Sequence, residues 1–183
     1  MSWYPLGVRN VMNDLTLEVL EAEQSASPIP RELVLRWMAD PDLETRALVY
    51  RLTRKGWSRI TPELNADEQC SFMARYLLDC MNTDPRGEEN IHSGFEAAWE
   101  FASWLKHLRT LQGMEQVIAR AVRDLEQLYL RSDPRTRNRI ETGAVEHILE
   151  DKALRKYFAH WRDDPELHTG YDLCVSWGKA HKQ

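Results

Sequence analysis

No stretch of this chain approaches the length of a membrane span, about 20 apolar residues, so a membrane protein is not expected. Cysteine is scarce: Cys70, Cys80 and Cys174 make an odd count. If Cys70 and Cys80 share a helix, roughly 15 Å of rise separates them, too far for a disulfide. Reduced thiols in a cytoplasmic protein are therefore expected. The first residues, MSWYPLGVRNVMNDL, lack a basic start followed by an apolar run, so no secretory signal is read there. Positive charge is in deficit, with 24 Lys and Arg against 29 Asp and Glu. A net charge of −5 makes nucleic acid an unlikely partner, because nucleic-acid binding needs a basic surface. Period-two alternation is missing, which argues against a sheet. No G-x-S-x-G, C-x-x-C, H-E-x-x-H or glycine-rich phosphate loop occurs, removing the ordinary reasons to propose an enzyme.

What remains is a globular composition, 43% apolar and 29% charged, with seven Trp, six Tyr and four Phe to fill a core. Four Asp-Pro pairs, at Asp40, Asp84, Asp133 and Asp164, read as helix starts. The Asp carboxylate accepts from first-turn N–H groups, and Pro suits the first helical position. Between the pairs run apolar stripes of period 3.6. Val8, Val11, Met12, Leu15 and Val19 share one face. Met114, Val117, Ile118, Ala121, Val122, Leu125, Leu128 and Tyr129 share the cleanest one. Residues 91–111 carry two stripes, one through Phe95, Ala98 and Leu105, the other through Phe101, Leu108 and Leu111, and so predict a helix near the centre of the protein. The fold class is therefore all-α, a compact bundle of about eight helices in one domain, residues 1–183, with residues 83–90 as the candidate subdomain boundary. Leu105, Val117, Leu125 and Ile148 are expected in its core.

The six histidines are scattered, and no metal or cofactor is expected. The densest polar segment is RSDPRTRNRIETGAVEHILED, residues 131–151. On a helix, Arg135, Arg139, Glu146 and His147 gather near Gly143, where the missing side chain admits a neighbouring helix or a ligand. These four are candidates for a small-molecule or enzymatic site. Residues 10–24 hold Asp14, Glu18, Glu21 and Glu23 and no Lys or Arg. Asp14, Glu18 and Glu21 form an acidic ridge at i, i+4 and i+7. Like charges on one helix face repel mildly unless a partner or a neighbouring helix supplies cations. Glu88 and Glu89 add an acidic loop. Trp99 lies beside the main stripe of its helix and is expected to be partly exposed, as tryptophans at binding hot spots are.

Phe95–Ala102 (F-E-A-A-W-E-F-A), Arg137–His147 (R-N-R-I-E-T-G-A-V-E-H), Tyr157, Phe158, Trp161, and Asp164–Leu167 with Tyr171 resemble a pattern in small, helical, uncharacterised bacterial proteins. The resemblance covers the C-terminal half and implies no catalytic residue. Proteins of that character are often immunity proteins. The expected function is thus an interaction module, an immunity- or antitoxin-like inhibitor that occludes a basic protein partner such as a toxin. The expected contacts are Asp14, Glu18, Glu21, Glu88, Glu89 and Trp99. The alternative is a small-molecule-binding or enzymatic bundle using the polar face of residues 135–150.

Overall fold

The computed structural model describes residues 13–85 and 90–180. Val8, Val11, Met12, Glu88, Glu89 and His181 lie outside them. The fold is all-α: helix makes up 75% of it. Strand among the described residues is confined to the parallel pairs Ile29–Ile60 and Pro30–Thr61. No helix among those residues is long and apolar enough to cross a membrane. The chain divides into two compact units, up to Glu63 and from Leu64 onward.

The first unit holds α1 (Asp14–Gln24), β1 (Ile29–Pro30), α2 (Arg31–Ala39), α3 (Leu43–Gly56) and β2 (Ile60–Thr61). Helices α1 and α2 pack on α3 around Val19, Val34, Trp37, Leu48, Leu52 and Ile60, each at most 3% exposed. Burying Trp37 requires an acceptor for its indole N–H, and Glu18 supplies it at 3.0 Å. The Arg59 guanidinium donates to the carbonyls of Ala22 at 2.8 Å and Ser27 at 3.0 Å, tying down the end of α1.

The second unit holds α4 (Ala66–Thr83), α5 (Gly94–Leu108), α6 (Glu115–Arg131), α7 (Pro134–Arg139), α8 (Glu146–Glu150) and α9 (His168–Ala180). A π-helical segment, residues 140–145, joins α7 to α8, and a 3-10 segment spans residues 155–162. Helix α5 packs against α4, α7, the π segment and α8. Its small residues Ala97, Ala98 and Ala102 are at most 2% exposed and let those neighbours approach. Both of its stripes run out at the ends, with Phe95 42% and Leu111 43% exposed. Gly113, at φ +80°, makes the turn into α6. Leu105, Leu125 and Ile148 are fully buried. Val117 is not: it stands half-buried in the wall of a groove of about 370 Å³ flanked by α4 and α6. Buried Trp161 donates its indole N–H to Glu126 at 3.2 Å, and His160 meets the same carboxylate oxygen at 2.5 Å. The three cysteines are buried and none is bridged to another.

Of the four Asp-Pro pairs, one starts a helix as expected. Asp133 Oδ1 accepts from Arg135 N at 2.8 Å and Thr136 N at 2.9 Å, with Pro134 at the first position of α7. Asp164 accepts from Glu166 N at 2.8 Å, one turn before α9 begins. Asp40 ends α2 and accepts from Asp42 N at 2.8 Å, and Asp42 then caps α3 through Thr45 N at 3.2 Å. Asp84 ends α4 in the left-handed region, φ 48°. An Asp side chain accepts backbone N–H groups in turns as readily as at helix starts, so the pair marks a break in the chain without fixing which side of it is helical. Asn65 with Glu68, and Ser93 with Glu96, make the reciprocal caps of α4 and α5.

Candidate functional site

Helix α5 carries the most exposed aromatic pair among the described residues. Phe95 and Trp99 are one turn apart, 42% and 57% exposed. They stand on the face that meets the π segment at Gly143, where a Cβ would fall 2.7 Å from the Ala98 methyl group and 3.6 Å from the rings of Phe95 and Trp99. Gly143 is thus a helix crossing: the missing side chain is used by α5. His147 packs edge-on against Trp99 at a ring separation of 6.1 Å, and its Nδ1 lies 3.2 Å from Glu150 Oε1. Lys106 donates to Glu150 at 2.9 Å and holds that carboxyl below its ordinary range. The aromatic pair therefore sits on a braced surface.

Beyond Phe95 opens a cleft of about 650 Å³, whose lining includes Arg135, Arg139, Asp84 and Asp133. Arg139 is buried, with its Nη1 donating to the Met81 carbonyl and its Nη2 3.8 Å from Asp84 Oδ2. Asp84 Oδ1 accepts from Gly94 N at 3.0 Å. Backbone N–H bonds from Thr136, then Arg135, hold the Asp133 carboxyl below its ordinary range.

The four residues of the polar segment do not converge. Arg135 and Arg139 belong to the cleft, and His147 to the aromatic face. Glu146 is 9% exposed and makes no hydrogen bond among the described residues. Burial, then the charges of Glu141 and Glu146, push the Cys174 thiol up to about 12. The intervening π segment bonds residues five apart and has wider turns than an α-helix, so spacing counted at 3.6 residues per turn misplaces whatever follows it. Glu141, in that segment, accepts from the Tyr129 hydroxyl at 2.6 Å, and Cys174 Sγ donates to the Glu141 carbonyl at 3.4 Å. Desolvation, then the Glu141 carboxylate, raises the Tyr129 pKa. Gly170 leaves room for this cluster, since a Cβ there would fall 2.6 Å from the Tyr129 hydroxyl oxygen.

On α1 the acidic ridge is partly neutralised within its own unit. Glu18 pairs with Arg36 and takes the Trp37 N–H. Glu23 meets Arg51 through two bonds, at 2.9 and 2.5 Å. Asp14 and Glu21 remain exposed, with no ion pair among the described residues. Glu88 and Glu89 fall outside the described residues. Phe95, which the stripe placed inward, is the site residue that sequence reasoning missed; its i, i+4 relation to Trp99 was the available signal. No family model, no curated protein and no solved structure matches this chain.

Proposed function

We propose that this chain is a protein-interaction module, an immunity- or antitoxin-like inhibitor that occludes a basic toxin partner without chemistry of its own. The observation that carries the reading is the exposed Phe95–Trp99 pair, presented on a helix whose opposite face is buried. Large aromatics held rigid at a surface bury much area on binding at little entropic cost, and they anchor interfaces. The excess of carboxylates favours a basic partner by steering its approach, and Asp14 and Glu21 are the ridge charges left free to do so. The resemblance of the C-terminal half to small helical bacterial proteins supports the inhibitor class.

The test uses the product of a neighbouring toxin gene and cells that express it. Trp99→Ala is expected to reduce protection while leaving the fold intact. Asp14→Lys with Glu21→Lys is expected to slow association and to weaken its dependence on salt. Glu18 is left in place, because its carboxylate holds Trp37 and Arg36. Full protection by Trp99→Ala, with unchanged association kinetics in the double variant, would overturn the reading.

A further inference from the structure

We propose that the cleft formed by Arg139, Arg135 and Phe95 binds a small organic acid, taking its carboxylate on the two guanidinium groups and its apolar body on the Phe95 ring. The side chain of Arg139 is only 9% exposed. Its single hydrogen bond among the described residues runs to the Met81 carbonyl. Asp84 Oδ2, at 3.8 Å, is beyond hydrogen-bond reach. A guanidinium has five N–H donors; the Met81 carbonyl engages Nη1, and the donors left over are not sealed from solvent. Arg139 lines the cleft, whose volume of about 650 Å³ falls within the range of ligand sites. A ligand carboxylate would fill the spare donors in the fork geometry that guanidinium favours.

Two neighbours prepare this place. Gly94 admits the guanidinium: a Cβ there would fall 2.7 Å from Arg139 Nη1 and 2.8 Å from Cδ. Phe95, the next residue, lines the cleft and is 42% exposed, giving an apolar wall beside the charged floor. The carboxylates present decide the class of anion. Asp84 and Asp133 line the same cleft and offset the charge of Arg135 and Arg139. With the charges of the lining balanced, a dianionic phosphoryl group gains no net attraction over a carboxylate, while taking it out of water costs more.

The full chain is titrated with phenylacetate at constant ionic strength, and the Gly94 amide and the Arg139 Nε–H are followed by NMR. Phenylacetamide, nearly the same shape without the charge, and phenyl phosphate are run in parallel. Saturable shifts are expected with phenylacetate, with affinity about tenfold weaker for phenylacetamide. Arg135→Ala, an exposed change that leaves the fold intact, should weaken phenylacetate by a similar factor. Phe95→Ala should weaken both acid and amide. Absence of saturation with phenylacetate overturns the proposal, as does equal affinity for acid and amide or unchanged affinity in Arg135→Ala. Tighter binding of phenyl phosphate overturns the choice of carboxylate. Trp99→Ala separates this site from protein docking, since it should leave phenylacetate binding unchanged.

Discussion

Helix α6 and the stretch from α7 through α8 are each 17 residues long, Glu115–Arg131 and Pro134–Glu150, and they do opposite things with that length. Helix α6 is regular. Its apolar residues fall on one stripe, and Ile118, Ala121, Val122, Leu125 and Leu128 are all buried. The second stretch begins as α-helix, widens into a π segment at residues 140–145 and returns to α-helix. Its polar residues scatter into three environments: Arg139 into the cleft, His147 against Trp99, Glu146 near Cys174. A regular helix buries one face and is stabilised by it. An interrupted one sets its side chains in several directions, and candidate binding features gather around it.

The largest expected difference comes from emptying the regular helix. Leu125→Ala, at a fully buried position, should cost about 2–5 kcal/mol, read as a lowered midpoint in urea unfolding. A cost near zero would mean that α6 is not the support its stripe indicates. Filling the interrupted stretch should cost less: Gly143→Ala sets a methyl group 2.7 Å from Ala98 Cβ and should destabilise by about 1–3 kcal/mol. Gly143→Ala with unchanged stability would show that the crossing is loose. Asp133→Ala removes the cap of α7 and should give the smallest lowering of the urea midpoint of the three.

A pH dependence ties the two stretches together, because Tyr129 lies on α6 and its acceptor Glu141 in the π segment. Both Tyr129 and Cys174 have raised pKa values, Cys174 about 12 against an ordinary 9.0. The folded state therefore holds protons that the unfolded state releases first. Their contribution is complete below about pH 9 and falls away as pH rises through 9 to 12. Thermal unfolding should show a declining midpoint over that window. Tyr129→Phe keeps the ring and removes the bond to Glu141, so its decline should be shallower. Equal slopes for the two proteins would remove Tyr129 from the account.

The contrast also explains what the sequence disclosed. The stripes of α5 and α6 depend on neighbours within a few residues, and they were legible. Three features depend on residues far apart in the chain. The pairing of Ile29 with Ile60 is one. The placement of Arg139 over Gly94 is another, and the neutralisation of Glu18 by Arg36 the third. The π segment was hidden for a different reason. No residue type demands it; within it Gly143 meets Ala98 of α5 and the Glu141 carbonyl meets Cys174 of α9. The acidic ridge was visible as composition, yet only the fold showed which of its carboxylates were already engaged.

The two sealed tryptophans offer a use unconnected with binding. Trp37 in the first unit and Trp161 in the second each have no exposed surface, and each rests its indole N–H on a carboxylate. Indole emission shifts to longer wavelength when water reaches the ring. With the other tryptophans replaced by Phe, a chain retaining Trp37 alone and one retaining Trp161 alone would each light up one unit. The molecule thus carries a separate optical gauge of melting in each half, and comparing the two curves tells whether the halves come apart together or in turn.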